Sequence, residues 1–431
     1  MKKFKILNIP DAKETFSRLY GSENRIIERQ VNRYRKLIEQ FGKYFGRVNE
    51  RDIQLFSTPG RTEISGNHTD HNHGRVIAAA VNLDAAAAVV KTGGNRIIIY
   101  SAGYDSAFEV NLDELAPKKE EQGTTTALIR GIAARFRESG YKTGGFFACI
   151  NSDVLPGSGL SSSAVIEVLS ADILNTLFNK REVRETALAL ICQYAENNYF
   201  NKPCGLMDQL TCAVGGIVTI DFENPQKPVL KKVNFDFDRQ DFSILVLNTG
   251  GSHADLTEDY AAIPREMRAV AGVLGRKVCR DIAQKVLIEN LKKLRSAVGD
   301  RAVLRALHFL EENRRVDRQV EALETDNFRL FLDLVQESGN SSLRWLQNCY
   351  TTKNTAEQGI TLALALTEQF IKSVGSGACR VHGGGFAGTI QVFLSNRFVH
   401  DYILLMESVF ANNCVSVLRV RPNGTLHLNP G

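Results

Sequence analysis

Between Arg25 and Phe45 the apolar residues Ile27, Val31, Tyr34, Leu37, Ile38 and Phe41 recur at helical spacing among arginines, lysines and glutamates. The pattern predicts an amphipathic helix whose basic side chains form its solvated face. After this helix the period changes. Residues 53–57, Ile-Gln-Leu-Phe-Ser, alternate as a strand does, and Thr58-Pro59-Gly60 predicts a turn. Valine and alanine dominate 76–90, and Arg-Ile-Ile-Ile-Tyr follows at 96–100, with Gly93 and Gly94 between them; both runs predict strands of a buried sheet. A charged surface turn is expected over 118–123, a helix over 126–136 and a strand at 146–150. Helical spacing returns after Ser161 and again over 183–200, 263–337 and 355–374. Charged residues at 236–240 mark the expected lobe boundary, followed by a strand at 242–249, a loop at 250–254 and a helix carrying Tyr260. A glycine run leading into a strand closes the pattern at 381–394.

Composition narrows the class. At 431 residues the chain exceeds the usual size of one domain, so two lobes are expected. Hydrophobic residues at 43% and charged residues at 23% describe an ordinary globular protein. A net charge of +5 is too small to argue for nucleic acid and suits a mildly basic cleft for a phosphate substrate. The start Met-Lys-Lys-Phe-Lys has the charge of a signal peptide, but Asn8 and Pro10 cut the apolar run short, and no later run is long enough to span a bilayer. No membrane partner is expected. Eight scattered cysteines lack paired metal-type spacing, as in reduced thiols of a cytoplasmic enzyme, and Cys204 reads as a small core thiol.

The candidate chemistry centres on Asp153 to Glu167, D-V-L-P-G-S-G-L-S-S-S-A-V-I-E. Pro156 stops the preceding segment, and Gly157 and Gly159 admit positive φ and close backbone approach. A helix then begins near Ser161 to Ser163, with its free N–H groups turned back into the loop. Three hydroxyls at the positive end of the helix dipole favour a phosphate over the simpler reading, a serine cap on a core helix. One hydroxyl could also reach a phosphate-bound Mg²⁺. The loop lacks the lysine of a P-loop.

Two further stretches carry polar groups. Residues 61–74, R-T-E-I-S-G-N-H-T-D-H-N-H-G, crowd Arg61, Glu63, Asn67, His68, Asp70, His71 and His73 into a polar loop. Its histidine spacings lack the helix or cysteine partners of a structural zinc site, and Asn67, His68 and Asp70 suit a polyhydroxylated ligand better. In C-G-L-M-D-Q, residues 204–209, Asp208 is a carboxylate among Leu206, Met207 and Leu210. It is either a helix cap or a functional group, since burying it unpaired is costly. Arg61 is a plausible partner that would keep it ionised and able to accept a proton. The run Gly383 to Gly385 is a weak signal, a tight turn or a second wall of backbone N–H groups.

Taken in order, these motifs resemble the GHMP kinase superfamily, most closely its galactokinase branch. The branch pattern P-G-R-x-N-L-I-G-E-H-T-D-Y-N-x-G stands here as P-G-R-T-E-I-S-G-N-H-T-D-H-N-H-G, beginning at Pro59. P-G-S-G-L-S-S-S-A matches closely at 156–164, and G-G-G-F-G-G reads G-G-G-F-A-G with Ala387. The resemblance runs from about Phe45 to near the C-terminus.

It implies a two-lobed α+β GHMP kinase fold: a basic helical extension over 1–45, an N-terminal ribosomal-protein-S5-like lobe over 46–240 and a C-terminal ferredoxin-like lobe over 241–431, with the active site in the cleft. It also implies Mg²⁺ with ATP, a small sugar as acceptor, and a monomer. The expected reaction is phosphorylation of the anomeric hydroxyl of galactose to galactose 1-phosphate. By motif position Asp208 is the base and Arg61 orients it; Asn67, His68, Asp70, Gly205 and Tyr260 face the sugar. Pro156, Gly157, Ser158, Gly159, Leu160, Ser161, Ser162, Ser163 and Ala164 hold ATP, with Ser162 on the metal. Departures fall in the substrate pocket. Asn67 replaces the glutamate that accepts from the sugar's C6 hydroxyl, and His71 replaces a tyrosine. Thr125 and Leu128 stand near positions where some relatives flank adenine with Trp and Tyr, and Ser338-Gly339 replaces a Ser-His pair. These departures leave open a galactose relative altered at C6 or C2, such as galacturonate or an amino sugar, or a non-catalytic sugar and ATP sensor.

Overall fold

The 17-residue strand β2 (Arg75–Lys91) is built from valines and alanines because both of its faces are covered over most of its length. The computed structural model describes residues 9–46, 48–49, 52–251 and 256–428. Residues 1–8, with the basic N-terminal start, and part of the expected loop at 250–254 therefore lie outside the described residues. By contact the chain divides into one unit of residues 1–61, 80–216 and 421–431, and another of 62–79 and 217–420. Two of the four divisions fall inside β1 (Gln54–Ser65) and β2, so at these the chain passes between units along continuous strands. The single boundary expected at 236–240 does not coincide with any of these crossings.

In the first unit helices α1 (Ile9–Tyr20) and α2 (Asn24–Phe45) form a layer over the sheet. The α2 stripe Ile27, Val31, Tyr34, Leu37 and Phe41 is buried with Phe16, Leu55, Ala86, Ala88 and Cys149. The small alanines leave room for the helices to approach the strand. One basic residue departs from the expected solvated face: Arg33 is 9% exposed and bonds Asp84 Oδ1 at 2.6 Å and Asn151 Oδ1 at 2.7 Å. Asp84, fully buried in β2, would be costly there without a cation.

The sheet of this unit runs C-terminal strand (Leu426–Leu428), β1, β2, β5 (Phe146–Ser152), β3 (Arg96–Ser101), β4 (Phe108–Asn111). Only β3 and β5 are parallel among the paired strands with a given register here. Against it lie α3 (Thr125–Glu138) and α4 (Ser162–Asn179), and α5 (Glu185–Ala195) and α6 (Met207–Val214) pack on these helices. A π turn over Glu196–Phe200 ends the helix expected to 200, and Asn201 follows at φ 65°.

The predicted turn at Thr58-Pro59-Gly60 is absent, because β1 continues through it to Ser65. Gly60 is needed for close approach rather than for turning: an added Cβ would lie 3.1 Å from the Leu160 carbonyl oxygen. Residues 61–65 are thus strand, and the polar loop is confined to 66–74.

In the second unit the first residues of β2 pair with β6 (Ile217–Asp221), which pairs with β7 (Val229–Val233). A separate four-stranded antiparallel sheet has the order β11 (Val415–Leu418), β8 (Phe242–Asn248), β10 (Thr389–Ser395), β9 (Ala378–His382). Helices α7 (Thr257–Val273), α8 (Gln284–Glu289), α9 (Leu291–Val298) and α10 (Asp300–Glu324) share one apolar cluster. The unit is completed by α11 (Phe328–Ser341), α12 (Gly359–Val374) and α13 (Val399–Glu407). Gly339 has a packing reason: its Cβ would lie 2.8 Å from the Cys379 carbonyl oxygen, where α11 meets β9. Among the described residues no helix is long and apolar enough to cross a membrane.

Candidate active site

The serine segment departs from an ordinary capped helix start. Gly157 and Gly159 both have φ 76°, and Ser161 has φ 60°, a left-handed conformation that costs a serine about 1 kcal/mol. Ser161 sits at the N-cap position of α4 but makes no side-chain cap. Its hydroxyl instead bonds Asp208 Oδ2. Ser162 opens the helix, and Ser163 Oγ bonds Glu196 Oε1 at 3.1 Å. Ser158 Oγ is buried with no hydrogen-bond partner among the described residues. Pro156 and Gly157 are exposed, Leu160 and Ala164 buried, so the loop is anchored at its helix end.

Asp208 stands in the first turn of α6, where a carboxylate meets the positive end of the dipole. Arg61, 9% exposed at the end of β1 in this unit, grips it with two bonds: Nε to Oδ1 at 2.6 Å and Nη2 to Oδ2 at 2.7 Å. The third arm, Nη1, donates to the Gly159 carbonyl at 2.7 Å, and the Arg61 N–H donates to the Leu160 carbonyl at 3.2 Å. One arginine therefore fixes both the carboxylate and the glycine loop. Burial pushes the Asp208 carboxyl up, but Arg61, Ser161 and Lys202 together hold it below the usual carboxylate range. Its proton-accepting form is thereby enforced. Gly205, expected at the sugar, lies in the turn just ahead of α6.

Two acids here were missed in the sequence. Glu196, 3% exposed, accepts from Ser163 and Lys202 on Oε1 and from Gln209 on Oε2, and Gln209 also donates to the buried Glu167. Burial and the Glu196 charge push the Glu167 carboxyl well up, so it is held neutral. The signal was available: Glu196 falls on the stripe of Leu188, Cys192 and Tyr199, and Glu167 on that of Ala164, Val168 and Ala171, where an acid is out of place. A hard hydroxyl–carboxylate pair such as Ser163 with Glu196 fits Mg²⁺, which takes one or two protein ligands beside phosphate and water. Cys204 is no nucleophile, since burial and Glu196 push its thiol far up.

Leu128 is buried at 3% exposure. A cavity of about 530 Å³ opens at the start of α3, lined by Tyr104, Phe108, Glu121, Thr124 and Thr126. Tyr104 is 52% exposed and meets Phe108 edge-on at 5.1 Å.

The polar loop belongs to the second unit. Gly66 has φ 93°, and its N–H donates to Glu312 Oε1 at 3.1 Å. Thr69 Oγ1 closes the loop on the carbonyls of Gly66 and Arg75 at 2.9 and 2.6 Å. Asn67 is fully buried. Its Nδ2 donates to Glu63 Oε1 at 3.0 Å and to the Gly383 carbonyl at 2.6 Å, while Oδ1 accepts from Asn348 at 2.7 Å and Ser342 at 3.4 Å. Every hydrogen-bonding position of that amide is met by protein. His68 Nε2 lies 2.9 Å from the Gly384 carbonyl; burial and His71 push its ring down to about 3, so it is neutral. Asp70 accepts from the His71 N–H at 2.9 Å, and the two rings of His68 and His71 are 6.0 Å apart. Tyr260, on α7, donates to the Gly385 carbonyl at 2.9 Å, and burial raises its hydroxyl to about 12.

Carbonyls of the glycine run thus serve Asn67, His68 and Tyr260. The structure brings Arg61, Asp208 and the serine segment together in one unit, and Asn67, His68, Asp70 and Tyr260 in the other.

Comparison with known proteins agrees with the motifs. Residues 127–216 match the GHMP kinases N terminal domain, and residues 39–91 match the galactokinase galactose-binding signature. A galactokinase of Streptomyces coelicolor is 30% identical over 381 residues, covering 86% of this chain and 92% of the relative. One from Clostridium acetobutylicum is 28% identical over 374 residues, covering 85% and 91%. Among solved structures, Lactococcus lactis galactokinase complexed with galactose superposes with a TM-score of 0.76 at 22% identity, covering 90% of this chain and 98% of that one. Methanococcus jannaschii mevalonate kinase gives 0.60 at 16% identity, covering 86% and 99%. With its α+β fold, serine loop and galactose-binding signature, the chain is an ATP-dependent kinase that belongs to the galactokinase family of GHMP kinases.

Proposed function

We propose that the enzyme transfers the γ-phosphoryl group of ATP to the anomeric hydroxyl of galactose, giving galactose 1-phosphate and ADP. The observation that carries this reading is the Asp208 carboxylate, clamped on both oxygens by Arg61 and bonded to Ser161 at the start of the serine helix. Phosphoryl transfer asks little basicity of its catalyst and much placement. A carboxylate kept ionised by a buried arginine suits that demand: it accepts the sugar hydroxyl's proton late, while Arg61 offsets charge gathering on the transferred group. Sugar hydroxyls bond His68, Asp70, Gly205 and Tyr260. Residues 156–164 hold the phosphates, with the buried Ser158 hydroxyl as one donor still to be satisfied. Bound Mg²⁺ would offset phosphate charge; Ser162 by motif position, and Ser163 with Glu196 by geometry, are the residues that would hold it. The adenine ring stacks against Tyr104 in the cavity at the start of α3.

A second reading, the same transfer to a galactose relative altered at C6, is favoured by one observation: the Asn67 amide is spent on Glu63, Gly383, Asn348 and Ser342. ADP release measured over hexoses, uronates and amino sugars separates the two. Turnover of galacturonate without turnover of galactose would replace the first reading by the second.

A further inference from the structure

Lys202 follows the left-handed Asn201 in the turn between the π turn and α6, and its N–H donates to the Glu196 carbonyl at 3.1 Å. That bond folds the chain back, so the Lys202 ammonium reaches the side chain of the same residue. Nζ lies 3.0 Å from Glu196 Oε1, the oxygen that also accepts from Ser163 at 3.1 Å. The other oxygen is taken by Gln209 at 2.8 Å. Glu196 is 3% exposed, whereas Lys202 is 59% exposed. The buried partner is fixed and the lysine is free to leave.

We propose that Lys202 is a tethered counter-cation for Glu196 that competes with the divalent metal and so sets the metal concentration at which the nucleotide site fills. The inference rests on Ser163 and Glu196 holding the metal, as proposed above. A carboxylate buried beside Glu167 is unfavourable without a positive partner. In the metal-free enzyme the ammonium supplies that charge. With a metal held at Glu196, the four-carbon stem would let the ammonium move into solvent, where it is well hydrated. Anything that occupies the same oxygen in the free state weakens metal binding by the free energy of the interaction it must break. Because Lys202 is largely exposed, that interaction is modest.

The test is direct metal binding: Mn²⁺ titration followed by its paramagnetic resonance, and calorimetry of Mg²⁺ with a non-hydrolysable ATP analogue. Lys202→Met and Lys202→Gln should both lower the metal concentration at half-saturation by about two- to fivefold, the range of a half-exposed ion pair. Lys202→Arg, which keeps the charge, should stay near wild type. The neutral variants should also melt at lower temperature without metal and recover with metal and analogue. Unchanged or weaker metal binding in both neutral variants overturns the proposal. Glu196→Gln tells the two levels apart: it should weaken metal binding in either background, and if it does not, the metal assignment falls and the competition with it.

Discussion

Asn67 Nδ2 donates to Glu63 Oε1 at 3.0 Å, and Glu63 in turn pairs with the fully buried Arg380 at 2.7 Å. In the galactokinase pattern quoted above these two positions carry the opposite residues, Asn first and Glu second. The acid and the amide have exchanged places, and Arg380 Nη1, on the Ile64 carbonyl at 2.7 Å, fixes the acid at its present address.

Asn67→Glu alone should therefore be poorly tolerated. It places a second carboxylate against Glu63 in a buried site where Arg380 already serves Glu63, which should cost roughly 2–4 kcal/mol. Glu63→Asn alone leaves Arg380 without its carboxylate and should cost a similar amount. The double variant should be clearly more stable than the sum of the two singles, and urea unfolding of the four proteins measures the coupling. Strict additivity would show that the exchange is not a coupled pair.

Arg61→Lys should lower kcat by about 100-fold, because a lysine cannot hold both carboxylate oxygens and the Gly159 carbonyl at once. The pH profile carries the sharper signature. Asp208 is held below the usual carboxylate range, so its ionised form persists as pH falls, and the acid limb of kcat lies below that range in the wild type. Weakening the arginine moves the limb upward. Stability follows the same sign: a depressed folded pKa contributes above the unfolded value and is lost as pH falls through the folded one. In the lysine variant the folded value lies closer to the unfolded one, so the contribution is smaller and is exhausted at higher pH. Asp208→Asn should stop ADP release while calorimetry still detects sugar binding.

Much of this geometry was legible in the chain. The serine loop, the α4 start and the Asp208 segment were readable because glycines, hydroxyls and apolar spacing act locally. The Thr58-Pro59-Gly60 turn was misread because the same residues that break strands also let two backbones approach, and Gly60 faces the Leu160 carbonyl, 100 residues on. Arg33 could not be distinguished from its solvated neighbours, since its partner Asp84 is 51 residues away. The hint lay at the other end: Asp84 interrupts a run of valine and alanine, where an acid demands a partner.

That demand makes Arg33 a stability residue. Its guanidinium reaches Asp84 Oδ1 and the Asp84 and Asn151 carbonyls, while Tyr20 donates to Asp84 Oδ2 at 2.7 Å and Arg421 lies 3.2 Å from the same oxygen. Burial works against the charge, and Asp84 more than restores it, holding the Arg33 pKa above its ordinary value. Arg33→Met should cost about 3–5 kcal/mol in urea unfolding, since it leaves a buried carboxylate with less than its full set of partners. Turnover per folded molecule should change little. Loss below about 1 kcal/mol would mean that Arg421 alone suffices for Asp84.

Glu312 should govern how well the sugar loop is held. From α10 it accepts from the Gly66 N–H at 3.1 Å, Ser65 Oγ at 3.3 Å and Ser338 Oγ at 2.6 Å, and it also pairs with Arg315. Burial alone would raise its carboxyl; Arg315, His308 and Arg380 bring it down to about 2. Its contribution to stability is therefore present above the unfolded carboxylate value of about 4.3 and disappears as pH falls through about 2. Glu312→Gln removes the charge that Arg315 faces and weakens the grip on residues 65 and 66. Because Glu312 reaches the sugar only through that loop, KM for the sugar should rise severalfold while kcat stays within about twofold and KM for ATP is unchanged. Steady-state kinetics against each substrate separates this outcome from a general loss of fold, which would reduce the active fraction and leave both KM values where they were.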